Sequence, residues 1–211
     1  MEESMAKEKV MKGIRNALIE QTSNPFGRID FDSPVYQAFT DEPEMVFARE
    51  FTRVAGTFVY CENETEFYET LSEFLSVKSV EKPFVLDRSI KEILEAGNIE
   101  YLSEITQLPA LKAAITRCEY LIARLGSIMV SSGHESGRRL NVFPEIHIVV
   151  AYTSQIVNDL KDALAGIKER YVTLPSMVTV ITGPSRTADI EKTLVMGAHG
   201  PKELVLFLIE D

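Results

Sequence analysis

Two stretches of this chain concentrate the residue types that hold small anions and move protons. The first is Ser131-Ser132-Gly133-His134-Glu135-Ser136-Gly137-Arg138-Arg139. Small residues let backbone N–H groups approach an anion, hydroxyls add donors, and the guanidiniums of Arg138 and Arg139 supply charge and bidentate geometry. The segment lacks the Lys-Ser/Thr ending of a nucleotide P-loop, and Arg138 stands where an HExxH zinc helix needs its second His. A solvated polar loop accounts for it equally well.

The second stretch is Thr182-Gly183-Pro184-Ser185-Arg186-Thr187-Ala188-Asp189-Ile190-Glu191, followed by Gly197-Ala198-His199-Gly200-Pro201-Lys202. Gly183 and Pro184 break a strand, Ser185 and Thr187 bring hydroxyls, and Arg186 suits the clamping of a carboxylate or phosphate. Thr187 is placed to cap a helix starting at Ala188, whose positive end favours Asp189 and Glu191. His199 falls in a tight turn, where a neighbouring carboxylate would make it a general base. Helix-start roles for Asp189 and Glu191, and a packed turn at His199, are the alternative. His147 lies inside an apolar strand and reads as a hydrogen-bonded core histidine.

Hydrophobic periodicity predicts the elements that must position these groups. Residues 5–20 read as an amphipathic helix, and the Pro- and Gly-bearing stretch 21–43 as an arm joining it to the body, giving an N-terminal helix and arm (1–43) and one domain (44–211). Helices are expected over 45–54, ending at a Gly56 cap, over 63–77 from an Asn63 or Thr65 cap, over 89–96, up to Arg124, and over 154–170 from a Ser154 cap. Strands are expected at 57–61, 83–87, 113–116, 126–132, 144–152, 177–182 and 203–209. Near-continuous apolar strands alternating with helices indicate an α/β fold, a mostly parallel sheet with helices on both faces. Ligands in such sheets sit beyond the strands' C-terminal ends, which points to the loops after Val130 and Ile181.

The 211 residues carry a formal net charge of −10, which disfavours nucleic acid or an anionic membrane as the main partner. Segments 115–147 and 181–203 together hold 7 Lys/Arg and 6 Asp/Glu, so the acidic excess lies elsewhere. The N-terminal residues have no apolar run of the kind a signal peptide needs, and no stretch approaches the roughly 20 residues of a membrane span, so a cytoplasmic location is expected. Cys61 and Cys118 are isolated, so no zinc site or iron–sulfur cluster is expected in this chain.

The string from Ile181 to Glu191 with Gly197–Pro201 resembles the signature of the LUD, or lactate-utilisation, domain family of LutC type. Ile122–Ser127 is similar to that family's Ile-Ala-Asp-Thr-Gly-Thr stretch, with Arg124 and Leu125 where Asp and Thr are usual; Arg138-Arg139-Leu140 with Phe143-Pro144 resembles another. The resemblance covers about 115–209. It implies a fold like the ribose-phosphate isomerase and CoA-transferase superfamily and a place in a three-protein system oxidising L-lactate to pyruvate. The partners would carry the iron–sulfur clusters and this chain would be the cluster-free component. On that reading Arg186 or Arg139 would hold the substrate carboxylate, with Gly183, Ser185, Thr187, Glu191 and Gly200 around the ligand. His199, oriented by Asp189 or Glu191, would be the base. A stand-alone enzyme acting on a sugar phosphate or acyl-CoA, and a non-catalytic interaction module, are the alternatives.

Overall fold

The computed structural model describes residues 2–19, 36–104, 111–190 and 193–211. They divide into two compact units, Met1–Ala38 and Phe39–Asp211. In the first, helix α1 (Glu2–Ile19) exposes Val10, Ile14 and Leu18.

The second unit is built on a five-stranded, all-parallel sheet. Its strands are β1 (Thr57–Cys61), β2 (Phe84–Val85), β3 (Ala113–Arg117), β6 (Ile146–Tyr152) and β11 (Glu203–Ile209), in the order β1-β11-β6-β3-β2. Alternation along β11 shows how both faces are filled. Val205, Phe207 and Ile209 pack with Phe67, Leu71 and Leu75 of α3 (Glu64–Val77) and with Ile90 and Leu94 of α4 (Arg88–Ala96). Leu204, Leu206 and Leu208 point the other way, against Val46, Phe47 and Phe51 of α2 (Pro43–Arg53). A strand buried on both faces needs a near-continuous apolar run, which β6 has apart from His147 and β11 has after Glu203. Each fully buried Leu or Phe contributes about 2–3 kcal/mol of transfer free energy.

A second sheet completes the cover of that second face. Its strands are β4 (Tyr120–Ile122), β5 (Ser127–Ser131), β7 (Ile156–Val157) and β8 (Val178–Ile181), ordered β7-β4-β5-β8. Leu121, Ile128 and Val130 face the parallel sheet, while Ile122 and Met129 face Ala163 and Ile167 of α5 (Leu160–Arg170).

Several local expectations are corrected. The stretch before Arg124 is not a helix but β4 followed by a 3-10 turn at Ala123–Leu125, because Gly126 reverses the chain at φ 56° and sends it back as β5. A Cβ there would lie 2.3 Å from backbone atoms of Glu50 and Phe51. Ser154 does not start α5. The branched pair Ile156–Val157 forms β7, and α5 starts after Asp159, whose N–H donates to the Asp162 carboxylate at 3.0 Å. At the end of α2 it is Ala55, not Gly56, that takes the left-handed position, with φ 67°. No helix begins at Ala188, so Thr187 is no cap and Asp189 is not a helix-start residue. Arg186–Ile190 is strand β9, paired antiparallel with β10 (Thr193–Met196). Among the described residues, no helix is long and apolar enough to cross a membrane.

Candidate functional site

The loops after Val130 and Ile181 do not share one site. Both follow strands of the second sheet, and β5 runs antiparallel to β8, with Ser131 opposite Val178 and Ile128 opposite Ile181. The loops therefore leave that sheet at opposite ends.

The first loop opens on a cavity of about 480 Å³ beyond the C-terminal ends of the parallel strands, the usual ligand position in such sheets. Arg117 at the end of β3, Val150 and Tyr152 at the end of β6, Ser89 in α4, and Gly133 and His134 line it, with Arg170, the last residue of α5, and Tyr171 just after it.

A fully buried carboxylate, Glu119, anchors one wall. Ser131 Oγ donates to its Oε1 at 2.5 Å, Tyr171 OH at 2.6 Å, and Arg170 pairs with Oε2 at 2.6 Å. The Nε2 of His134 lies 3.2 Å from Oε1. Burial alone would raise the Glu119 pKa. The hydrogen bonds from His134, Ser131 and Tyr171 outweigh it and hold the carboxyl at about 2. An ionised carboxylate only accepts, so in the neutral imidazole Nε2 carries the proton and Nδ1 the lone pair. That Nδ1 is buried and has no hydrogen-bond partner among the described residues. The nearby Ser89 Oγ and Asp87 Oδ2 are likewise unpartnered. The exposed side chain of Arg117, at the end of β3, makes no hydrogen bond or ion pair among the described residues, which leaves its guanidinium available to an anion. A buried acid, an oriented imidazole and a guanidinium at one cavity form a proton acceptor beside a carboxylate clamp.

The second loop lines a smaller cavity, of about 250 Å³, at the N-terminal ends of β6 and β11. Here Gly183, Ser185, His199 and Gly200 do come together. Ser185 N–H donates to Pro201 O at 2.9 Å, and Gly197 N–H donates to Ser185 O at 2.9 Å. Gly183 sits at φ 75°, where a Cβ would meet Val54 O at 2.1 Å. Arg139, Arg186 and Thr187 are not among the lining residues of either cavity. Arg186 and Thr187 instead pair with Met196 and Val195 in the β9–β10 hairpin. The side chain of Asp189, and Glu191 altogether, lie outside the described residues. His147 is the buried, hydrogen-bonded histidine that its strand suggests: its Nε2 meets Thr116 Oγ1 at 2.9 Å, and burial pushes its pKa down to about 4.

Sequence reasoning passed over Glu119, Arg117, Arg170 and Tyr171, and considered His134 only as a failed zinc motif. One signal was present. Glu119 interrupts an otherwise apolar run from Cys118 to Ala123, and a buried carboxylate in such a run requires partners.

Residues 45–209 match the LUD domain family. The chain belongs to that family. Among its LUD relatives, an uncharacterised Neisseria meningitidis protein is 42% identical over 88 residues, covering 42% of this chain and 38% of that one. The lactate utilization protein C of Bacillus subtilis is 36% identical over 100 residues, and that of Bacillus licheniformis 34% over 100. Each alignment covers 46% of this chain and 42% of the relative. The chain thus spans less than half the length of the curated relatives it matches. A crystal structure of a DUF162 family protein from Deinococcus radiodurans shares the LUD fold, with a TM-score of 0.57 at 17% identity, covering 79% of this chain and 96% of that one.

Proposed function

We propose that the chain is a component of a lactate-utilisation system and that the larger cavity holds a small 2-hydroxy acid or its 2-oxo product. The observation that carries this reading is His134, held through Nε2 by Glu119 while its unpartnered Nδ1 belongs to a cavity that also contains Arg117. The names of its LUD relatives support the substrate class. In this reading Arg117 takes the carboxylate, His134 accepts the hydroxyl proton, and Glu119 stabilises the imidazolium that forms.

Oxidising lactate to pyruvate releases two electrons and two protons. The second proton, from the carbon, leaves with the electrons to an acceptor. Two cysteines in the sequence fall short of the four thiolates a cluster commonly needs, and Cys61 and Cys118 pack in different core clusters. In this reading, as the resemblance to the lactate-utilisation family implies, the acceptor is an iron–sulfur partner protein.

Calorimetric titration of the full chain with pyruvate and L-lactate tests the cavity. Arg117→Ala should weaken pyruvate binding by about tenfold or more, the usual effect of losing a charge-assisted hydrogen bond. His134→Gln should retain binding but lower lactate oxidation in the reconstituted system by about 10²-fold or more. Unchanged pyruvate affinity in Arg117→Ala would reject this site. Robust turnover by the chain alone with artificial acceptors would favour a stand-alone enzyme instead.

A further inference from the structure

The smaller cavity is separate from the site just described. His147 begins the same strand that ends in Tyr152 at the larger cavity, five residues on, or about 17 Å along the strand. Two of its lining residues carry buried polar atoms without a hydrogen-bond partner among the described residues: Nδ1 of His147 and Oδ1 of Asn141. Such orphaned atoms are rare in folded proteins and need an explanation. Much of the remaining wall is apolar, including Val142, Val180, Ile181 and Leu204.

The charge of the cavity follows from its contents. Its lining includes no Lys, Arg, Asp or Glu, its second histidine, His199, is exposed, and the Arg186 guanidinium lies outside the lining, behind Gly183. His147 is kept neutral near pH 7 by its burial. Neither an anion nor a cation finds a buried charged counterpart there. At about 250 Å³ the space far exceeds one water, and an apolar cavity of about 150 Å³ already admits a benzene-sized ring. Asn141 Oδ1 requires a donor. His147 Nδ1 requires either a donor or an acceptor, according to which way the Thr116 hydroxyl is turned.

We propose that this cavity is a second ligand site, selective for a small uncharged single-ring molecule that carries an amide or lactam group. The ring fills the apolar wall, and the amide offers a donor to Asn141 and either complement to His147.

The test uses the full chain, with benzamide as the neutral probe and benzoate as its anionic counterpart, followed by protein-observed NMR titration. Benzamide should bind saturably in the millimolar range, with shifts confined to the start of β6 and the 183–201 turns. Benzoate should bind about tenfold more weakly or worse, for want of a buried cation. Asn141→Leu should weaken benzamide about tenfold. Val142→Trp, at an exposed rim position, should abolish benzamide binding. An unchanged melting temperature and a dispersed amide spectrum serve as the folding control for both variants; if one variant fails it, the other decides. Benzoate binding as tightly as benzamide overturns the proposal, as does benzamide binding that ignores both substitutions. So does the absence of saturable benzamide binding, which would leave ordered water as the occupant.

Discussion

Glu119 directly precedes β4 and His134 follows β5, so the open end of that hairpin brings the imidazole Nε2 to within 3.2 Å of the buried carboxylate. The carboxylate has no exposed surface, and its acceptor positions are filled by the imidazole, a serine, a tyrosine and an arginine.

That arrangement sets an acid limit on stability. Glu119 titrates at about 2 in the fold against 4.5 for the free group. A lowered folded pKa means the contribution is complete above 4.5 and is lost as pH falls from there through about 2. The full shift corresponds to roughly 3 kcal/mol. Urea melts between pH 7 and pH 2.5 should show wild type losing this stability while Glu119→Gln, already weaker by about 3 kcal/mol at pH 7, shows a flatter profile.

The Arg124 guanidinium pairs with Asp159 at 2.5 Å and stacks over Phe39, 4.4 Å from the ring centroid. Arg124→Asp would set two carboxylates together and lose the stacking. The expected cost is about 1–2 kcal/mol, or roughly 2–8 °C in melting temperature. Adding Asp159→Ala should recover part of the loss, a coupling that thermal melts of the four proteins would read.

Gly126→Ala combines an unfavourable positive φ with a Cβ 2.3 Å from the α2 backbone. Neither obstacle is a flexible side-chain tip that can swing away. The substitution should cost about 3 kcal/mol or more and shift the denaturant midpoint accordingly.

Both cysteines should be silent in the native protein. Burial pushes Cys61 up to about 11, and burial, reinforced by the Glu119 charge, pushes Cys118 up to about 12. Thiolate is the reactive form, so Ellman's reagent at pH 8 should label neither thiol until denaturant is added, and then both.

The parallel sheet was legible because its central strands are long enough to declare themselves. Ile146–Tyr152 is apolar but for His147 and Glu203–Ile209 is apolar after its first residue, and Asn63 caps α3 through the hydrogen bond its type suggests, accepting from Glu66 N–H at 3.0 Å. The second sheet was not legible. Tyr120–Ile122 and Ile156–Val157 are too short for a period of two to show, and only pairing with neighbours makes them strands. Thr187 misled for a related reason: a hydroxyl followed by Asp and Glu suits a helix start, but pairing across to Val195 and Met196 decides the backbone. The meeting of the 183–185 and 199–201 turns follows from the strand break at Gly183 and Pro184 and the tight turn at His199. The Glu119 cluster did not, since Arg170 and Tyr171 lie 51 and 52 residues away and reach it only after α5 has packed.

The strand that pairs with both β1 and β6 is β11, so Thr57 finds its neighbour only at Val205. During synthesis, everything upstream of Glu203 therefore emerges with the middle of its sheet missing and two strand edges unsealed. Such a nascent chain is a natural client for chaperones. Truncation just before Glu203 should yield insoluble protein, whereas a cut within α1 should not.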